Sequence, residues 1–509
     1  MLALMDDIQS AVFACVAVVI AIYAVRWYTD PINSIPTVGG SSLPGLSLLT
    51  AWRTVHNCRE VLTAGYRKYP DSVFKIAMFD SWLVIASGRN MIEEVRKRHD
   101  ELSTTLGIQE ALRSRYIRDR QVMTDEYHVR VVKEKMSGRT LQAMLPDVIE
   151  EVSIAVKDHI ATQGSGWTSL EVVPAMQKVI FQVNNRAFVG PVLCRSKEYL
   201  NVAIDFSEHT FKWSAILSVT PEFVRRIIAP FINEAKNDTR RAVPLLRPII
   251  EERMKAQADL GEGWHDKPND ILQFVLDKAI PKEESMFLIV HRLLIVNHAA
   301  SGNSVNAITY VLYHLAENPD ILQACREEAE AKIAADGWTS TALANMWRLD
   351  SILRETLRYH GTALVSMNRL ATKDVVLSDG TRLPKGTFMQ AAAYPLHRDG
   401  ALVENAHTFD PFRYARMRDA DGEGLKHQAS TTSPEYIPFG HGQHACPGRY
   451  FAAYVLKAIL AHLIVNYDLK LGGDGSRPPI RYVLSAVLPP PGGCVLLKER
   501  GEGSTTTTG

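Results

Sequence analysis

Between Tyr436 and Ala453 the chain reads YIPFGHGQHACPGRYFAA, with Cys446 enclosed by Gly440, Gly442 and Gly448 and followed by an apolar helical pattern from Arg449. Glycines let a backbone approach a flat ligand closely. A cysteine just ahead of a helix N-terminus has its thiol pKa lowered by the helix dipole, and loop N–H groups turned toward the sulfur stabilise the thiolate that metal ligation needs. The residues allow three readings: a thiolate that binds iron, a buried structural cysteine, and a zinc site through His441, His444 and Cys446, which crowds three ligands and supplies no fourth at regular spacing. A second pattern lies in ILRETLRYH, where Glu355 and Arg358 stand three apart on one helical face, the spacing of an ion pair. Taken alone, such a pair is usually a solvated surface feature.

The elements that must position these residues are legible in outline. SVFKIAMFDSWLVIASG predicts a β-hairpin around Phe79-Asp80-Ser81, because short apolar or alternating runs flank a turn. Helical periods dominate residues 90–318. The longest starts at about Lys282, after Pro281, and ends at Glu317 before Asn318-Pro319; it carries apolar residues on most faces, which predicts a central buried helix. A further helix is expected over Trp347–Tyr359, then a hairpin in VVLSDGTRLPKGTFM turning on Asp379-Gly380, then short strands and loops. The expected class is mainly α with small β-sheets.

Composition bounds the partners. The 509 residues are 46% hydrophobic and 22% charged, ordinary globular usage that excludes a disordered, collagen-like or polytopic membrane chain. Lys plus Arg number 57 against 56 for Asp plus Glu, without the basic excess that nucleic acid would need. Six cysteines (Cys15, Cys58, Cys194, Cys325, Cys446, Cys494) form no CxxC pair, which fits a reducing compartment. Residues 8–28 are apolar enough and, at about 1.5 Å per helical residue, long enough to span a bilayer core of roughly 30 Å. Asp6 and Asp7 precede this stretch and Arg26 follows it, the reverse of a cleaved signal peptide, so a transmembrane anchor with a cytosolic body is expected. A Pro/Gly-rich linker at 29–45 leads to one catalytic body at 46–499, and a polar tail at 500–509 has nothing to bury.

The run Phe439-x-x-Gly442-x-x-x-Cys446-x-Gly448 resembles the haem-binding loop of cytochrome P450, the haem-thiolate monooxygenases. The resemblance spans residues 46–499 and implies the fold of that family, haem b (iron protoporphyrin IX) as cofactor, and Cys446 as the axial thiolate ligand of its iron. It also implies roles residue by residue. Phe439, Gly442 and Gly448 belong to the haem loop, and His444 stands where the family often has a propionate-binding arginine or histidine. Glu355 and Arg358 resemble the family's E-x-x-R, FDPFRY places Arg413 as the third member of a structural network, and Arg369 matches a propionate contact. The family's W-x-x-x-R has no counterpart at that spacing in DEYHVRVVKEK, and Tyr127, His128, Arg130 and Lys133 there are left unassigned. Aligned on Ser301-Gly302, the long helix offers His298, Ala299 and Ser301 as the oxygen-side residues. A fungal branch with the HACPGR loop has His-Thr-Thr-Ser here, so Ala299 replaces the hydroxyl that guides protons to dioxygen. An alanine donates no hydrogen bond, so water, Ser301 or a substrate hydroxyl supplies the proton, or the product needs no ordinary oxygen insertion.

The function expected from this resemblance is a monooxygenase of the endoplasmic reticulum membrane acting on a hydrophobic polycyclic secondary metabolite of terpenoid or indole alkaloid type. It uses O2 and electrons from a separate NADPH-cytochrome P450 reductase, since no Gly-rich dinucleotide fingerprint opens a βα unit. Substrate contacts are expected from 103–116, 206–219, 295–300, 361–367 and 487–494. Desaturation, coupling or rearrangement without net hydroxylation is the alternative chemistry. A non-turning haem sensor, with His298 closing the distal iron position, is the alternative class.

Overall fold

Strands are short here, and each finds its partner through the hydrophobic pattern of its neighbours. β1 (Thr37–Val38), β2 (Val73–Ala77), β3 (Trp82–Ala86), β4 (Leu102–Ser103), β5 (Ser366–Ala371) and β6 (Phe388–Ala391) make a six-stranded sheet in the order β1-β2-β3-β6-β5-β4. The predicted first hairpin is β2–β3, with Phe74 opposite Ile85, Ile76 opposite Leu83, and the Met78 N–H donating to the Ser81 carbonyl at 2.9 Å. Strand β6 joins β3 in parallel, so the sheet draws the late strand β5 toward the early chain. The second predicted hairpin is a two-residue pairing of Val375–Val376 with Arg382–Leu383, turning where Gly380 takes φ +83°.

The computed structural model describes residues 21, 25, 27–43, 45–161 and 166–501. Most of the expected anchor at 8–28 and most of the tail at 500–509 lie outside these. Among the described residues no helix is long and apolar enough to cross a membrane. The major helices are α1 (Tyr127–Lys135), α2 (Gly138–His159), α3 (Val172–Val189), α4 (Lys197–Val219), α5 (Glu234–Leu260), α6 (Met286–Glu317), α7 (Trp347–Tyr359) and α8 (Arg449–Asn466). One continuous core of buried side chains runs from Ile35 to Leu497.

Helix α6 is the predicted central helix, 32 residues long and so about 48 Å at 1.5 Å per residue. It starts four residues later than the pattern suggested, because Glu283 adopts φ +50° after a 3-10 turn and Ser285 then caps the helix by accepting from the Leu288 N–H at 3.4 Å. Leu293, Leu294, Ile295 and Val296 are all buried although they point around the whole circumference, as expected of a helix packed on every side. It contacts α3, α4, α5, α7 and α8. Midway the burial breaks: Ala299, Gly302 and Asn303, at i, i+3 and i+4, are exposed, and a Cβ added to Gly302 would meet nothing within 4 Å. One face of the central helix therefore borders open space inside the molecule.

Helix α7 holds the irregular chain that follows it. Glu355 and Arg358 are buried at 0% and 1% exposure, which removes the surface reading of that pair. Arg358 donates through Nε and Nη2 to the two Glu355 oxygens at 2.7 Å each, and its remaining donors reach the carbonyls of His397, Ala406 and Thr408. Glu355 also accepts from the Asp410 N–H at 2.9 Å, and the Arg413 Nε lies 3.4 Å from its second oxygen. Glu355→Ala would leave Arg358 charged in a dry site, at a cost of about 3–5 kcal/mol. The expected result in denaturant titration is an unfolding free energy lowered by that amount, with a correspondingly lower midpoint; an unchanged midpoint would contradict the structural role given to the pair.

Candidate active site

The loop before α8 is folded by its own backbone. The Gly440 N–H donates to the Ile437 carbonyl at 3.0 Å, the Ala445 N–H to Gly442 at 3.0 Å, and the Cys446 N–H to Phe439 at 2.7 Å, while the Phe439 ring packs on the core. Gly442 sits at φ +79°, and a Cβ there would come within 2.5 Å of Arg96 Cγ, so a side chain is excluded on both counts. Gly448 is the N-cap of α8, and the N–H groups of Gly448 and Arg449 point at the Cys446 sulfur. Strand β5 is tied to the same loop because the Ser366 hydroxyl donates to the Ile437 carbonyl at 2.7 Å. Arg369 follows three residues later, past a register shift in β5, and its charge acts on His444 of the same loop.

Cys446 is exposed, yet desolvation by surrounding protein is the largest influence on its thiol and pushes the pKa up; the two N–H groups and the Arg449 charge pull it down. The expectation of a lowered thiol pKa thus holds for the donors alone and is outweighed by burial. The zinc reading falls, because among the described residues no three His, Cys, Asp or Glu groups could hold a metal ion together. His441 is turned to Thr432 at 3.1 Å and to Glu93 at 3.7 Å.

Basic side chains collect beside the loop, and among the described residues neither Arg369 nor Lys133 has an acid within ion-pair distance, while His99 has Asp100 at 3.5 Å. Arg369 is 2% exposed; its one side-chain hydrogen bond goes to the neighbouring Asn368 carbonyl, and its Nε has no partner. Desolvation lowers its pKa to about 10. His444 has its pKa lowered by burial and by the charges of Arg369, Lys133 and His99, and its ring centroid is 6.1 Å from that of His99. Four basic side chains therefore converge. A buried guanidinium with an unmade hydrogen bond calls for an anion, and the two carboxylates of haem, with Cys446 as the single thiolate, supply that demand. The residues present fit the group. Lys133 and His99 were not assignable from sequence, because neither lies at the family's W-x-x-x-R spacing and only the tertiary fold brings them to His444.

The three oxygen-side candidates diverge. Ala299 lies on the exposed face of α6. His298 turns to α4, with Nδ1 3.0 Å from the Ser207 hydroxyl, and burial followed by the Arg118 charge lowers its pKa to about 3. Ser301 is fully buried and accepts from Asn184 of α3 at 3.3 Å, which holds its hydroxyl in the helix interface. Successive helical residues are 100° apart, so three positions within four residues cannot share one face.

Arg369→Met is expected to speed haem loss to an apoprotein acceptor about 10- to 100-fold, the worth of one charge-assisted hydrogen bond at about 1.5–3 kcal/mol. The haem-free variant should melt no lower than the wild type, since an unpaired buried cation is gone. Unchanged haem loss would remove Arg369 from the site.

Known proteins were compared with this chain. A family model described as Cytochrome P450 matches residues 41–497. Cytochrome P450 monooxygenase 151 of Postia placenta is 40% identical over 97% of this chain and 100% of its own length. Ent-kaurene oxidase of Gibberella intermedia is 29% identical over 92% of this chain and 88% of its own. A crystal structure of the cytochrome P450DA heme domain superposes with a TM-score of 0.67 at 19% identity, covering 92% of this chain and 98% of that one, which shows the fold.

Proposed function

The chain belongs to the cytochrome P450 family, as a haem-using monooxygenase, and from this membership we propose that it oxidises a hydrophobic polycyclic secondary metabolite of terpenoid or indole alkaloid type. The observation that carries the reading is the exposed Cys446 thiol, facing two helix-terminal N–H groups, with the unpaired Arg369 guanidinium close enough for its charge to act on His444 of the same loop. Two Gibberella relatives bear the name ent-kaurene oxidase, which favours the terpenoid arm. Electrons come from NADPH-cytochrome P450 reductase, and the site of action is the endoplasmic reticulum membrane, held by the apolar stretch at 8–28.

Haem, when bound, supplies the activation of O2 by electrons delivered from outside. The chain's own contribution is positional. The loop N–H groups would stabilise the sulfur as thiolate, Arg369 and Lys133 would offset the charge of two carboxylates with His444 and His99 beside them, and the apolar walls of α6 would keep bulk water from the reacting carbon. Ala299 faces that space with a methyl group, so proton delivery there falls to water or to the substrate itself.

That methyl group also supports the second reading, oxidation without net hydroxylation. Its rival, a sensor closed by His298, has against it the bond of that ring to Ser207. Coexpression of the full chain with a reductase, followed by product mass, separates the chemistries: a gain of one oxygen, labelled from 18O2, is the expected result, and a loss of two hydrogens would replace it by desaturation. Ala299→Thr is expected to lower the peroxide released per NADPH consumed, because an interaction made in the transition state is restored. Substrate affinity is measured alongside, since the added bulk alone can cost binding. Unchanged coupling and product ratio would remove any role for this position.

A further inference from the structure

The joint between two short helices, Ser114–Ile117 and Arg120–Thr124, lies against α6. The Asp119 N–H is 3.4 Å from Nε2 of His291, and His298 follows two turns later on α6, beside Ser207 of α4. Arg118 stands at this joint, closing the first short helix by donating its backbone N–H to the Ser114 carbonyl at 2.8 Å. Its positive charge is felt by His128, His291 and His298, and the contact that ties the joint to these rings is the one from the Asp119 N–H to His291. The Arg118 charge does not act on His444, whose cationic neighbours are Arg369, Lys133 and His99. There are therefore two separate groups of basic residues, one beside Cys446 and one at the middle of α6.

The Arg118 guanidinium has no hydrogen-bond or ion-pair partner among the described residues. Glu126 attracts it only at longer range, with one carboxylate oxygen already accepting from Gln109 at 3.0 Å. Other interior arginines have an acid or carbonyls for most of their donors: Arg292 has Glu284, Arg253 has Asp270, Arg358 has Glu355, and Arg354 has the carbonyls of Gln428 and Thr431 with only its Nε unmatched. Arg118 keeps part of its surface accessible while desolvation is the main influence on it, the combination seen at Cys446. The nearby histidines are pushed down to about 3 and stay neutral, so they add no further positive charge; a histidine supplies no countercharge in either state. An unpaired buried cation is strongly unfavourable, and a planar fork of donors suits one ligand group above others, a carboxylate bound through two parallel hydrogen bonds.

We propose that Arg118, with the Ser207–His298 pair beside it, is a binding site for the carboxylate of the substrate, so that the substrate is a hydrophobic carboxylic acid held by its charged end. The proposal rests on the substrate-oxidising reading above and narrows it. The acid group is fixed at the joint between the two short helices, and the apolar body extends along the exposed face of α6 formed by Ala299, Gly302 and Asn303. The guanidinium is a binding group and takes no part in the oxidation.

The test uses the haem-loaded full chain and two pairs of probes, dodecanoic acid with its methyl ester and abietic acid with its methyl ester. Affinities are measured by calorimetry, which needs no haem signal, while the carbon monoxide spectrum of the same sample reports separately whether the haem-thiolate reading stands. The wild type should bind at least one acid about 10-fold or more tightly than its ester. Arg118→Leu should bring acid and ester to equal affinity with haem content unchanged, and Arg118→Lys should keep part of the preference. Equal binding of acid and ester by the wild type in both pairs would overturn the proposal. So would an acid preference that survives in Arg118→Leu, or a loss of haem from that variant, which would place Arg118 among the cofactor's own anion contacts.

Discussion

The buried pair of Glu355 and Arg358 is the constraint on which the rest of the site depends. The chain from 397 to 446 contains little regular structure, and irregular backbone that enters a core must find partners outside itself for its N–H and C=O groups. Arg358 provides three of them and Glu355 another. Arg354, one turn earlier, accepts the same duty for Gln428 and Thr431, and its guanidinium lies 3.8 Å above the Tyr436 ring. The last segment before the haem loop is thus registered against α7 at several points, and the position of Cys446 follows from that register. The pair is costly to desolvate and of little net stabilisation by itself; its value lies in leaving only one arrangement in which every charge and carbonyl is satisfied.

Much of this was legible in residue order, and the part that was not has a physical reason. The Cys446 loop, the spacing of Glu355 and Arg358 and both hairpins are local patterns, in which neighbours in sequence are neighbours in space. The central helix was equally plain, because its apolar residues cover the whole circumference. Its start was misjudged, since a left-handed residue at Glu283 and a serine cap are local decisions that hydrophobic periodicity does not encode. The oxygen-side trio shows the limit most clearly. His298, Ala299 and Ser301 are close in sequence, but helical rotation sends one to Ser207, one to the open face and one to Asn184. Arg118 and His99 carried no signal and Lys133 stayed unassigned, because the surroundings of a basic side chain are set by the tertiary fold and not by its neighbours in sequence.

Charge accounting gives the interior its functional layout. Nearly every buried arginine finds an acid or a set of carbonyls, and the exceptions are informative for that reason. Arg369 has one neighbouring carbonyl and an unmade bond, and it lies with His444 by the thiol loop. Arg118 has none and lies with neutral histidines by α6. The separation lets one interior hold the carboxylates of a cofactor and the charged end of a ligand without exchange between them, with the apolar face at Ala299 and Gly302 in between.

The central claim is that the Cys446 sulfur is the axial ligand of haem iron. The carbon monoxide difference spectrum of the reduced, haem-loaded full chain tests it most directly. The account predicts the red-shifted Soret band of thiolate ligation in the wild type and an imidazole-type band when Cys446→His is measured under the same conditions. An imidazole-type band in freshly prepared wild type, at full haem content, would contradict it.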